Sequence, residues 1–186
     1  QTPLGQILVY HQALDAIRVG GVAVEALRHD SEHSLEIELP FLQRALAGEF
    51  ALIPLMLSDQ SAAHAERVGH ALAAVLRPKG VQNTLLIAST DLSHFYDQEI
   101  ANQLDRAVLD RVADFDPAGV IEVEELGRGF ACGRGAAAAV MWAARDLGAD
   151  AATVVSHATS GDATGDHRSV VGYGAAVFYK RADNKL

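Results

Sequence analysis

The feature that most constrains this chain is its alternation of short, continuously apolar runs with longer amphipathic segments. Phe50–Leu57 and Thr84–Ala88 have the length and apolarity of buried strands. Between them, Ser61 to Leu76 carries apolar residues at helical spacing and is stopped by Pro78-Lys79-Gly80. Gln98–Phe115, Pro117–Leu126 and the Ala-rich Gly133–Leu147 read as further helices, and Ala152–His157 and Val170–Tyr179 as closing strands. Upstream, Ile7–Tyr10 and Val22–Ala26 read as short strands around a polar segment from His11 to Arg18. A helix from about Glu32 to Ala47 follows, with Ser31 as its N-cap and Leu35, Leu39, Leu42 and Leu46 facing the core. Pro40 should kink it. Strands alternating with helices of ten or more residues predict a three-layer α/β/α fold, its mixed sheet parallel at the centre, with the last two strands free to pair antiparallel. With no repeat or linker, residues 1–186 read as a single α/β domain.

Composition narrows the function classes. Fifteen basic residues against 24 acidic ones give a net charge of −9, and no Lys/Arg cluster marks a nucleic-acid groove. No apolar run reaches the 18 or so residues of a membrane-spanning helix. The only cysteine, Cys132, rules out a disulfide within the chain and suits a reducing cytoplasm.

Four segments carry side chains with chemistry. In Glu32-His33-Ser34-Leu35-Glu36, helical spacing puts His33 and Glu36 on one face, where a carboxylate can orient a metal-binding imidazole. The same residues also suit a capped helix with a solvated His. Ser89-Thr90-Asp91-Leu92-Ser93-His94 follows an apolar run, at the strand end where open α/β sheets bind ligands. Asp91 and His94 could serve there as an acid/base pair or as ligands, or merely cap a helix. Cys132, in Ala131-Cys132-Gly133-Arg134-Gly135, precedes a helix N-terminus that favours its thiolate as ligand or nucleophile. It could equally be a small core residue, and Arg134 could hold an anion. Ser160–His167 imitates the odd positions of a calcium loop, but His167 stands where that loop requires Gly, so a polar inter-strand loop is the better reading. His11, His29, His64 and His70 read as surface residues.

Together, these segments resemble the Memo family, the B component of the AmmeMemoRadiSam system, related in fold to class III extradiol dioxygenases. The resemblance is carried by Thr2-Pro3-Leu4-Gly5, Glu32 to Glu36 with Leu39-Pro40-Phe41-Leu42, Ser89 to His94, Cys132-Gly133-Arg134, and Ser160-Gly161-Asp162 with Val171-Gly172-Tyr173. It implies that His33 and Cys132 are metal ligands, that His94 and Asp91 are the catalytic acid/base pair, and that Glu36 and Arg134 line the substrate pocket. It implies a divalent metal, Fe(II) first, with copper or zinc as alternatives suited to a thiolate site. The expected activity is that of a non-haem, metal-dependent, dioxygenase-like oxidoreductase on a small molecule or peptide. Two other readings stand beside it: a non-catalytic module that binds a radical-SAM protein, and a hydrolase using Cys132 as nucleophile. The family also supplies a His ligand upstream of Thr-Pro-Leu-Gly, so an N-terminal segment is expected ahead of this chain.

Overall fold

The computed structural model describes residues 2–27, 32–46 and 48–182. The chain divides into two compact units, Gln1–Met56 and Leu57–Leu186, taken here in turn.

The first unit holds β1 (Leu8–Val9), α1 (His11–Val19), α2 (Ser34–Ala45) and β2 (Ala51–Leu52). β1 and β2 pair in parallel, Leu8 opposite Ala51 and Val9 opposite Leu52. The polar segment from His11 to Arg18 is a helix, α1, which buries Ala13 and Ile17 four residues apart on one face. Val22–Ala26 is not a strand: Val22 donates its N–H to Ile17 O at 3.4 Å, so it folds back onto the end of α1. Of the four leucines expected to face the core from α2, only Leu39 is buried, and Leu35 and Leu46 are exposed. Pro40 lies inside α2, and the proposed cap Ser31 falls outside the described residues. The first turn is held instead by Glu32, whose carboxylate accepts the His33 and Ser34 N–H groups, each at 2.8 Å. Those two backbone donors hold the Glu32 carboxyl below its ordinary pKa.

The second unit contains α3 (Ala62–Leu76), β3 (His94–Tyr96), α4 (Gln98–Ala113), α5 (Pro117–Glu125), α6 (Arg134–Asp146), β4 (Ala151–Thr159), α7 (Ser160–Thr164) and β5 (Val170–Tyr179). The sheet order is β3-β5-β4, and both pairings are antiparallel. The hairpin β4–β5 confirms the reading of the last two strands. Helix α4 lies across β4 and β5, α5 packs on α4 and α6, and α6 runs along α3. Leu92, Val108, Val112, Phe115, Val120 and Met141 form the buried core. Asp97 caps α4 by accepting the N–H groups of Glu99 and Ile100, and Asp116 caps α5 through Gly119 N–H.

The long apolar runs fall short of the expected strands. Only Ala51–Leu52 of the run 50–57 pairs, and Thr84–Ala88 joins no ladder among the described residues. A strand is defined by a partner remote in sequence, which apolarity alone cannot supply. The chain meets β5 at Leu92, whose N–H donates to Gly172 O at 2.9 Å. Before that point it stands off from β5, and a cavity of about 530 Å³ opens between them, walled by Leu86, Ala88, Leu92, Met141, Ala176 and Phe178. The described residues thus form a mixed α/β structure of helices and two small sheets. No helix among them is long and apolar enough to cross a membrane.

Candidate functional site

Cys132 and Asp91 meet in the second unit, from loops 41 residues apart. The Asp91 N–H donates to Cys132 Sγ at 3.2 Å, and the Cys132 N–H donates to Asp91 O at 3.2 Å. This reciprocal pair fastens the Cys132 loop to the end of the 84–91 segment. Thr90 reinforces it. Its hydroxyl donates to Asp91 O at 2.8 Å, accepts the Gly133 N–H at 2.7 Å, and lies 3.5 Å from Sγ. A Cβ on Gly133 would come within 2.8 Å of Ser89 O and 2.9 Å of Thr90 Cβ, so the two loops can close this far only because residue 133 has no side chain.

A residue outside the sequence-derived set clamps the other side of Cys132. Gln60 donates from Nε2 to Cys132 O at 3.0 Å, and its Oε1 accepts the Gly135 N–H at 3.0 Å. Gly135 sits in the first turn of α6, where backbone N–H groups lack helical partners. Cys132 is exposed at this helix start. Its thiol partners are Asp91 and Thr90, and no imidazole hydrogen-bonds it among the described residues.

His94 begins β3, three residues beyond Asp91, and its Nε2 lies 3.6 Å from Asp91 Oδ2. The imidazole side chain is 24% exposed, packed edge-on against Phe130 with ring centroids 5.3 Å apart and tilted against Phe95 at 5.7 Å. Beside it the backbone is strained: Phe95 adopts φ 65° and is 77% exposed as a residue, at an irregularity between His94 and Tyr96 in the pairing with β5. Asp91 and His94 are therefore near neighbours, at 3.6 Å beyond the length of a direct hydrogen bond.

His33, in the first unit, is 77% exposed, and its Nδ1 is 2.8 Å from Glu36 Oε2. Arg134 is ion-paired to Glu124, whose other oxygen accepts the Ala131 N–H at 2.9 Å, so the guanidinium braces the Cys132 loop from below. In Ser160–His167 the acidic residues serve the backbone. Asp162 accepts the Thr159 N–H at 2.7 Å in a capping box at the start of α7, and that bond, above all, holds its pKa low. The polar loop thus contains one helical turn.

Thiolate, imidazole and carboxylate are donor types that suit a transition metal. Within this chain, no group of three or more His, Cys, Asp or Glu side chains converges on one point among the described residues.

A family model described as "Memo-like protein" matches residues 1–177. The chain belongs to the Memo family. A MEMO1 family protein of Nitrosopumilus maritimus is 36% identical over 180 residues, covering 96% of this chain and 64% of that relative. Its counterpart in Methanopyrus kandleri is 37% identical over 180 residues, with 96% and 63% covered. The Thermotoga neapolitana protein is 35% identical over 179 residues, with 95% and 62% covered. The chain thus spans somewhat under two thirds of the length of these relatives.

Proposed function

We propose that this Memo-family chain is the metal-binding part of a non-haem, metal-dependent oxidoreductase, built on a three-layer α/β/α fold like that of the class III extradiol dioxygenases and acting on a small molecule or peptide in the cytoplasm. The observation that carries this reading is the junction of Cys132 with the Asp91–His94 couple: an exposed thiol bonded to the backbone of the residue whose carboxylate faces an imidazole. Cys132 is the proposed soft ligand, and the Asp91 N–H that donates to its sulfur would stabilise a thiolate there. His33 is the second proposed ligand, a role that rests on the family resemblance. A bound metal, Fe(II) first and copper or zinc otherwise, would supply redox chemistry and open positions for substrate. His94, its Nε2 facing Asp91, is the proposed group that takes or gives a proton, and Phe130 and Phe95 limit the water around its ring.

A hydrolase reading needs an imidazole to activate the Cys132 thiol. The bonds made by Sγ favour the metal reading, because they run to a backbone amide and a hydroxyl. Elemental analysis of anaerobically purified protein tests the proposal. Near-stoichiometric iron, copper or zinc is expected, lost in Cys132→Ala and reduced in His33→Ala. Protein that stays metal-free after exposure to each ion would sink it, and retained loading in Cys132→Ala would remove that residue from the ligand set.

A further inference from the structure

Asp105 is a fully buried carboxylate in the middle of α4, on the stripe Ala101, Asp105, Val108 and Val112 that otherwise carries apolar side chains toward the sheet. A buried charge is costly unless its oxygens are satisfied. Both are. Oδ1 accepts the Ser93 N–H at 2.9 Å, and Oδ2 lies 2.8 Å from Nε2 of His157 on β4. Ser93 is itself fully buried. β5 passes directly over the carboxyl group: a Cβ on Gly172 would lie 1.9 Å from Oδ2, so only glycine leaves room for it. Gly172 in turn brackets Ser93, accepting the Leu92 N–H at 2.9 Å and donating to Ser93 O at 2.8 Å.

These contacts meet on one residue. The peptide unit between Asp91 and His94 is held by β5 through its two neighbouring backbone groups, and by Asp105 through the Ser93 N–H. Leu92 and Ser93 are both buried, and along the chain they lie between Asp91 and His94. A shift of the Ser93 amide would therefore move both site residues, and with Asp91 the donor to Cys132 Sγ. We infer that Asp105 is a positioning residue, which with His157 as its counter-group fixes the Asp91–His94 segment so that His94 faces Asp91 and the Asp91 N–H faces Cys132. The inference rests on reading Asp91, His94 and Cys132 as one site. Metal content is not among its readouts, so a metal-free protein would sink the proposed function and leave this assignment standing.

The test separates positioning from support of the fold. Asp105→Asn keeps an oxygen for the Ser93 N–H and offers an NH₂ to His157. Asp105→Leu/His157→Leu replaces the buried pair with apolar groups, a change that often preserves stability, but leaves the Ser93 N–H without its acceptor. Two quantities are read on each folded variant: the rate of Cys132 alkylation by iodoacetamide, and the NMR chemical shifts of the His94 ring protons at fixed pH. Asp105→Asn is expected to stay within about threefold of the parent rate, with the His94 ring signals unshifted. The double variant is expected to change the alkylation rate by about tenfold or more and to shift the His94 ring signals as the ring moves relative to Phe130. A folded double variant with parental values for both, or an Asp105→Asn protein displaced in both, would overturn the assignment.

Discussion

Replacing Gln60 by Leu removes both arms of the clamp around Cys132 while nearly preserving side-chain volume. Two hydrogen bonds of 3.0 Å are lost. The bond to Cys132 O is solvent-accessible and contributes toward the low end of about 0.5–1.5 kcal/mol. The bond from Gly135 counts for more, because Gly135 is buried and its N–H belongs to the unpaired first turn of α6. Leaving a buried donor unmet costs roughly 1–3 kcal/mol. The total is a destabilisation of about 2 kcal/mol. With a urea m-value of about 2 kcal/mol/M for a chain of this size, the unfolding midpoint should fall by about 1 M. Gln60→Glu should lie between the two: it keeps the acceptor for Gly135 and adds a negative charge at a helix N-terminus, worth about 0.3–1 kcal/mol, but loses the donor to Cys132 O. Circular dichroism during urea titration reads stability, and iodoacetamide alkylation under native conditions reads the thiol, which should react faster once its carbonyl anchor is gone. A Gln60→Leu midpoint within about 0.25 M of the parent would refute the claim that Gln60 secures the start of α6.

Gly69→Ala on α3 should destabilise by a net of up to about 2 kcal/mol, since the new methyl would sit 2.7 Å from both Ala139 O and Trp142 Cβ of α6; overpacking of about 1–3 kcal/mol is set against a gain of about 1 kcal/mol in helix propensity. A higher melting temperature for Gly69→Ala would contradict this reading of the α3–α6 contact. His70 on α3 has its pKa raised above 6.5, chiefly by its hydrogen bond to Asp146 on α6. The bond's contribution is therefore complete below pH 6.5 and is lost as pH rises through the raised value. Both groups are partly exposed, so the stability gap between the parent and His70→Gln should be under about 1 kcal/mol, larger at pH 5.5 than at pH 8.5; a gap that widens toward alkaline pH would refute the pairing.

What could be read from the sequence follows the range of the interactions involved. Helices α3 to α6 and the strands β4 and β5 lie where local signals put them, because a cap such as Asp97 or Asp116 and a 3.6-residue stripe are written within a few residues of each other. β3 is three residues long with strained Phe95 at its centre, too short for any period to show. The segment 84–88 reads as a strand from its side chains, yet its ladder depends on a partner that no property of the segment identifies. Within the site, Asp91, His94 and Cys132 could be named from residue type and position, but the bond from Asp91 to the thiol spans 41 residues and left no trace in spacing. Asp105 did leave a signal: a charge on the inward stripe of an amphipathic helix has to be matched by partners. Gln60 left none, being one amide just ahead of a helix start.

The segments that carry the family resemblance in the second unit are also the ones that interlock. Ser89–His94 closes on Cys132-Gly133-Arg134 through the Thr90 hydroxyl, and on the stretch containing Gly172 through the Ser93 amide and the Asp105 carboxylate. Each closure brings a polar side chain against backbone at a glycine. A methyl at position 133 would strike Thr90, and one at 172 would strike Asp105. The glycines are therefore half of each contact, and the polar side chain is the other half. Substituting one half leaves a polar group unmet, and substituting the other displaces the same group. The paired losses should then overlap instead of adding, as expected for residues in one hydrogen-bonded network. A chain that kept the Asp91–His94 segment while losing Gly172 would retain the residues of the site without the means of holding them in place.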